Sequence, residues 1–176
     1  MNFRLLRADE IDCRISTVSE KGLSLLLYKD ARTDMSILDE TFGVMGWRDS
    51  YQSINGELFC TIEVWDEQKS QWIGKQSNGS PSNMEAEKGR ASDAFKRAGF
   101  MLGIGRELYT APRIFVYADK CKSLKQGKNG KMQCYDHFSV AKIMVVDGRI
   151  VGLAIRNDDT GKVVFTYVED GYGKEQ

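Results

Sequence analysis

Residues 82 to 102 constrain the fold more than any other stretch, because their apolar side chains recur with the period of a helix. The stripe consists of Met84, Ala91, Ala94, Phe95, Ala98, Met101 and Leu102. Spacings of three, four and seven place these residues on one helical face, which other elements must cover. Ser82 and Glu85 have the spacing of a capping box at a helix start, and Gly103 and Gly105 are typical of a helix end. The sequence therefore predicts a long helix over 82–102 with one buried face.

The opposite side of this helix is basic. Arg90 and Arg97 are seven residues apart and share a face, with Lys96 about a quarter turn away and Lys88 at the border of the apolar stripe. The spacing of Arg90, Asp93 and Arg97 is typical of a solvated ladder of ion pairs. The alternative interpretation is that the cations hold an anionic polymer.

The total charge does not decide between these interpretations. The 176 residues include 25 Lys and Arg and 25 Asp and Glu, so the net charge is zero and a bulk electrostatic argument for nucleic acid fails. The distribution is uneven, because residues 84–131 contain 11 basic and five acidic residues. A basic middle segment is the kind of feature that binds phosphate.

Apolar alternation and turn residues predict strands before the long helix. Asn55-Gly56 is the strongest hairpin signal, because both residues tolerate positive φ. The predicted elements are a hairpin over 11–28, a helix over 33–47 with Met35, Leu38, Phe42 and Met45 on one face, and strands over 48–54, over 57–65 and from 72 onward. Leu58, Cys60, Ile62 and Val64 are expected to line one face of the middle strand. We expect Trp47 to be a core anchor, whereas Trp65 and Trp72 either pack or stack on bases.

After the helix, the sequence predicts a buried strand over 113–117 and a β-meander over 133–168. Between them lies a flexible, Gly-containing basic stretch, residues 119–131, which includes Lys122 and Lys125. This stretch is either a solvated hairpin tip or a loop that touches backbone phosphate. We expect one domain over 1–168 and a polar tail over 169–176.

Several functional classes have little support. Cys121, Cys134 and His137 have partly metal-like spacing but lack a fourth ligand, so no metal is expected. His137 is the only histidine and stands beside no nucleophile motif, and a Walker loop is absent. The chain begins with no apolar leader and contains no run of about 18 apolar residues. The four scattered cysteines favour a reducing cytoplasm.

The run ASDAFKRAGFMLGIGRELY resembles the signature helix of the Rad fifty-two superfamily of single-strand DNA annealing proteins. It is most similar to the phage and prophage branch, including the DdrA-like and Sak-like recombination proteins. A second block, LLLYKDARTDMSILDETFGVMGWRDSYQ, resembles the same branch. The resemblance implies an α+β fold in which an antiparallel β-β-β-α core packs a sheet on one long helix. The N-terminal hairpin and the C-terminal meander would be additions to that core.

The resemblance also implies the site. The Lys-Arg pair of the family's DNA-binding groove corresponds to Lys96 and Arg97, and a basic residue earlier in the helix corresponds to Lys88. Eukaryotic members carry a further Arg where this chain has Phe100, and an Arg at the preceding helix start that Arg32 matches with an offset of one. Arg90 or Arg106 would then compensate for the missing charges. An aromatic at 100, on the polar side, would suit a contact between subunits.

The function implied is ATP-independent binding and annealing of single-stranded DNA in recombination and repair, without a cofactor and without enzymatic activity. The family assembles into rings or filaments of identical subunits, and a host single-strand-binding protein is a further candidate partner. Membrane association is not expected, and the location implied is the cytoplasm of a bacterial host, with the gene carried by a phage or prophage. One alternative is a coat or loader for single strands that does not anneal. The other is a small metal-dependent nuclease using Asp158, Asp159 and Glu169.

Overall fold

The computed structural model describes residues 3–79 and 86–172, with the side chains of 86–88 excepted. The strands are β1 (Ile11–Ser19), β2 (Gly22–Lys29), β3 (Trp47–Ile54), β4 (Glu57–Asp66), β5 (Gln71–Asn78), β6 (Ile114–Tyr117), β7 (Lys125–Gln126), β8 (Met132–Gln133), β9 (Phe138–Val146), β10 (Arg149–Asn157) and β11 (Lys162–Val168). The α-helices are α1 (Ala31–Phe42) and α2 (Ala86–Leu102), and short 3-10 turns lie at Ala8–Glu10, Arg106–Thr110 and Ala118–Lys120. The α+β class predicted from the sequence is confirmed, with antiparallel sheets.

Backbone contacts divide the chain into two compact units. Unit one contains Met1–Arg4 and Lys29–Arg106, and unit two contains Leu5–Tyr28 and Glu107–Gln176. Folding of residues 1–168 as a single domain stays a prediction. Within the described residues, no helix is both long enough and apolar enough to cross a bilayer.

The sheet of unit one has the strand order β3-β4-β5, and both pairings are antiparallel. The turn between β3 and β4 has the two positive φ angles that its sequence predicts, 52° at Asn55 and 81° at Gly56. Cys60, Ile62 and Val64 of β4 are buried, so the predicted alternation is confirmed from 60 to 64, whereas Leu58, predicted on the same face, is only partly buried.

Helix α2 covers β4 and β5 with Ala94, Phe95 and Ala98, which are almost fully buried. The small alanine side chains allow the helix to lie close to the sheet, and Phe95 fills the space that remains. Met101, expected in the buried stripe, is 44% exposed because it lies at the edge of this face. The predicted capping residues Ser82 and Glu85, together with Met84, lie outside the described residues.

Helix α1 differs from its predicted bounds of 33–47. It begins earlier because the Asp30 side chain accepts a hydrogen bond from the Arg32 amide. It ends at Phe42 because Gly43 adopts φ 76° and its amide donates to Asp39 O. Met45 therefore lies outside the helix and is 88% exposed.

Trp47 begins β3 and is partly buried. Its ring lies 6.0 Å from that of Phe95, and its indole Nε1 donates to Asp39 at 2.7 Å. The tryptophan therefore connects α1, the sheet and α2, as expected for a core anchor.

Unit two is built on a six-stranded sheet with the order β11-β10-β9-β1-β2-β6. The predicted N-terminal hairpin and C-terminal meander belong to this one sheet, because β9 pairs with β1 on one side and β10 on the other. Its buried residues include Leu23, Val116, Ile150 and Ile155. The basic stretch between β6 and β9 contains the small ladder of β7 and β8.

Candidate nucleic-acid interface

In unit one, α1 packs against α2, and Asp30 is the capping residue that precedes α1. The Arg32 guanidinium contacts the Asp30 carboxylate at 2.9 Å, and the Arg32 side chain is 87% exposed. The pKa of Asp30 is lowered chiefly by hydrogen bonds from Arg32 and, more weakly, by the nearby charge of Lys96. Arg32 and Lys96, which are 64 positions apart in the sequence, thus act on the same carboxylate.

A buried ion pair beneath these residues positions the two helices. Lys29 Nζ donates to both carboxylate oxygens of Asp34 and lies 3.5 Å from Lys96 O. Asp34 is fully buried, and burial raises its pKa to about 6 even though Lys29 acts in the opposite direction. A Cβ atom at Gly99 would lie 2.7 Å from Asp34 Oδ2, so the close approach of α2 requires glycine at that position.

Arg97 occupies a different side of α2. Consecutive residues of a helix point about 100° apart, so Lys96 faces the start of α1 while Arg97 lies beside Asp93. Arg97 Nε donates to Asp93 at 2.9 Å, and half of the Arg97 side chain remains exposed. One rung of the ion-pair ladder suggested by the sequence is therefore present.

Arg90 lies on the same side of the helix as Arg97. Its Nη1 is 3.5 Å from Gly56 O, at the limit of a hydrogen bond. Its Nε is buried and has no hydrogen-bond partner among the described residues. Arg90 therefore retains donor capacity, which is unusual for a buried guanidinium nitrogen.

Arg106 closes the C-terminal end of α2. Its Nε and Nη2 donate to Phe100 O and Met101 O at 2.9 and 2.8 Å. Its guanidinium carbon lies 5.5 Å from the centre of the Phe100 ring. The guanidinium of Arg106 therefore lies next to the half-buried ring of Phe100, which stands at the sequence position where the resemblance implies an arginine. Participation of Phe100 in a subunit contact stays a prediction.

The remaining basic residues are less informative. The backbone of Lys88 is helical within α2, and its side chain lies outside the described residues. In unit two, Lys122 and Lys125 are both exposed. Lys122 Nζ donates to Asp159 O at 3.3 Å, and Lys125 Nζ lies 6.0 Å from the Tyr135 ring centre.

The outer face of the three-stranded sheet carries an aromatic cluster. The rings of Trp65 and Trp72 meet edge to face at 5.5 Å, and the Arg48 guanidinium lies 4.3 Å from the Trp72 ring centre. Arg48 also pairs with Glu63 at 2.8 Å. The tryptophans therefore pack on each other, while Trp65 stays 41% exposed.

Among the described residues, the three acids considered for a nuclease are not grouped closely enough to hold one metal ion together. Asp158 accepts hydrogen bonds from Ser139 and Arg156, whereas Glu169 pairs with Arg149. Asp159 accepts hydrogen bonds from the His137 amide at 2.7 Å and contacts Nδ1 of its ring at 3.1 Å. These hydrogen bonds lower the pKa of Asp159. Each of these carboxylates is therefore hydrogen-bonded or ion-paired to its own neighbouring residues.

Unit two instead brings together two of the three residues first considered for zinc. Cys121 and Cys134 lie beside Asp136, and the potential ligand atoms of the three residues are within 4.8 Å of one another. His137, held by Asp159, is not part of this cluster. Burial, together with the neighbouring Cys134 and Asp136, raises the pKa of the Cys121 thiol to about 12.

The sequence reasoning missed the Lys29–Asp34 pair and Asp136. The burial of Asp34 could have been predicted from the sequence. Asp34 precedes Ile37 by three residues and Leu38 by four, so it lies on the same helical face as these two buried residues. No local pattern marks Asp136, since its burial depends on contacts with residues far away in the sequence.

Comparison of the chain with protein-family models, curated proteins and solved structures yields no match.

Proposed function

We propose that this chain binds single-stranded DNA through its phosphates and anneals complementary strands without ATP, as a phage-type recombination protein. The observation that carries the proposal is the packing of α2 on the start of α1, where Lys29 Nζ contacts both Asp34 and Lys96 O, so that Arg32 and Lys96 come from adjoining elements. The resemblance carries Lys96 over directly and Arg32 with an offset of one residue, and the two cations come from separate elements of unit one. Arg90, Arg97 and Arg106 extend the basic surface along α2.

The local ion pairs are compatible with this role. Arg32 and Arg97 pair with carboxylates while their side chains stay 87% and 50% exposed. Exposed pairs of this kind contribute little to stability, because solvent screens them. A polyanion can replace such a carboxylate at low cost, since displaced counterions add favourable entropy.

Annealing follows from how the strand is held. Contacts to phosphate carry no sequence information, so base pairing with a second strand supplies the specificity. A strand held by its backbone leaves its base edges available for that test. Many weak contacts along one strand require many copies of the chain, arranged head to tail in a ring or filament.

The first test is the variant Arg32→Gln/Lys96→Gln. We expect its affinity for a labelled poly-dT oligonucleotide to fall by about 10- to 100-fold at low salt, because two charge-assisted contacts are lost. The slope of log affinity against log salt should decrease by about 1.4, at about 0.7 per phosphate contact of a single strand. Fluorescence anisotropy over a salt series measures both quantities.

The matched control is Lys69→Gln/Lys75→Gln, which removes two exposed lysines from the same unit. It should bind like the unaltered protein, and both variants should keep the melting transition. Equal binding by the two variants would remove the Arg32–Lys96 assignment. Arg90→Gln/Arg97→Gln then shows whether the other side of α2 also contacts the strand.

A strand-annealing assay separates the proposed activity from simple coating. Mixing two complementary oligonucleotides with the protein and no nucleotide should accelerate duplex formation, as followed by energy transfer between labels. Tight binding without acceleration would identify a coat or loader instead. The same reaction with non-complementary strands controls for aggregation.

A further inference from the structure

Unit two contains a cluster of metal-ligand groups that the proposed function does not use. Cys121 Sγ, Cys134 Sγ and a carboxylate oxygen of Asp136 are mutually within 4.8 Å. Zinc–sulfur bonds of about 2.3 Å place two thiolates about 3.8 Å apart in a tetrahedral site. The three side chains could therefore reach one ion with shifts of about an ångström or less.

Asp136 is held in the orientation that a ligand requires. Its Oδ2 accepts hydrogen bonds from the Lys122 amide at 2.6 Å and from Asn157 Nδ2 at 2.7 Å. Its Oδ1 accepts a hydrogen bond from the Ser123 amide at 2.8 Å, and the Ser123 side chain also hydrogen-bonds to the carboxylate. A carboxylate has about four acceptor positions in all, so a cation would replace the Ser123 hydroxyl at one of them. Hydrogen bonds of this kind orient the ligands of known metal sites.

The ligand types restrict the ion. Two thiols and a carboxylate favour a thiophilic divalent cation, and zinc is the commonest ion with such a set. Three protein ligands leave a fourth tetrahedral position, which a water molecule can occupy. Ser123 Oγ, 3.6 Å from Cys134 Sγ, also lies beside the cluster.

The cluster lies at the base of the basic stretch. Cys121 immediately precedes Lys122, and Cys134 follows Lys131, with Lys125 and Lys128 between them. The segment is held by the two residue pairs of the β7–β8 ladder and by a few further hydrogen bonds between its arms, such as Gly127 N to Lys131 O and Tyr135 N to Ser123 Oγ. An ion bound by both cysteines would join the two ends of the segment directly.

We propose that Cys121, Cys134 and Asp136 bind one Zn²⁺ ion, with water as the fourth ligand, and that the ion clamps the base of the hairpin between residues 122 and 133. Binding releases the two thiol protons to solvent, and no redox step is involved. The proposal does not depend on DNA binding.

The test is a titration of the reduced, chelator-treated full chain with Co²⁺, followed by displacement with Zn²⁺. The unaltered protein should develop thiolate-to-cobalt charge-transfer and tetrahedral d–d bands that saturate at one equivalent and disappear on addition of Zn²⁺. Cys121→Ser and Cys134→Ser should each weaken binding at least about tenfold. Cys13→Ser, which removes a cysteine of the same unit outside the cluster, should bind normally.

A second readout addresses the hairpin itself. Zn²⁺ should slow trypsin cleavage after Lys125, Lys128 and Lys131 in the unaltered protein and in Cys13→Ser, but not in Cys121→Ser. Absence of the bands, or equal bands in all three cysteine variants, would overturn the proposal. A reduced protein that binds no ion, but that loses two thiols on mild oxidation, would identify a disulfide pair instead.

Discussion

Lys29→Met is expected to destabilise the protein by about 3–5 kcal/mol, because it leaves the fully buried Asp34 carboxylate without its cation. Methionine has about the same length as lysine, so the loss of charge dominates over the loss of volume. Urea denaturation at neutral pH, followed by circular dichroism and by tryptophan fluorescence, measures the change in the free energy of unfolding.

The dependence of this loss on pH distinguishes charge from packing. Burial already raises the pKa of Asp34 to about 6 in the folded protein, above its ordinary 3.8. The folded state therefore holds the Asp34 proton more tightly than the unfolded state does, and the stability from this group falls as the pH rises from about 4 to about 6. Lys29 lowers the pKa of Asp34, so this pKa should be higher in Lys29→Met. The decrease in stability with rising pH should therefore continue above about pH 6 in the variant.

The destabilisation by Lys29→Met should consequently be smaller at pH 5 than at pH 8. Lys29→Met/Asp34→Asn, which replaces the carboxylate by a neutral group of the same shape, should recover more than half of the loss at pH 8. A loss that is equal at both pH values and unaffected by the second change would show that lysine contributes through packing alone.

Phe95→Ala is expected to cost about 3–5 kcal/mol as well, through a cavity between α2 and the sheet. Phe95 is 1% exposed, and its ring meets the edge of Trp47. The variant should lower the melting temperature by several degrees and change the fluorescence of Trp47, because the contact between the rings is lost. Differential scanning calorimetry measures the first effect and emission spectra the second.

Phe100→Ala is the matched control on the same helix. Phe100 is half-buried and carries the Arg106 guanidinium on its ring, so its removal should cost about 1 kcal/mol or less. If the two variants lost equal stability, the assignment of Phe95 to the core and Phe100 to the helix surface would be wrong. Light scattering of Phe100→Ala also tests the subunit contact, since an unchanged assembly size would exclude it.

Much of the local structure could be predicted from short patterns. The Asn55-Gly56 turn and the alternation of β4 depend on positive φ and on side chains that point to opposite faces of a strand. The end of α2 depends on Gly103, which adopts φ 121°. The predicted end of α1 at residue 47 is wrong. The helical spacing of apolar residues continues to Met45, but the backbone leaves the helix at Gly43.

The candidate site could be predicted only in part. The pattern identifies the cations of α2 but does not show what each one contacts. Lys96 and Arg97 are adjacent in the sequence, yet the charge of the first acts on Asp30 and Asp34 whereas the second pairs with Asp93. Which partner each cation meets depends on how α2 is rotated about its axis relative to α1 and the sheet. The spacing of apolar residues determines that rotation only to within tens of degrees.

The sequence by itself determined the α+β class, the three strands that precede a long helix, and the basic side of that helix. Those features follow from periodicity and turn chemistry, which act over a few residues. Only the tertiary structure decided that Lys29 is buried with Asp34, that the charges of Arg32 and Lys96 act on the same carboxylate, and that Cys121 and Cys134 lie beside Asp136 and not His137. The effect of Lys96 on Asp30 and the approach of Cys121 to Cys134 depend on segments that are separated in the sequence. The Lys29–Asp34 pair is local in the sequence, but its burial depends on the packing of α2, which excludes water from both side chains.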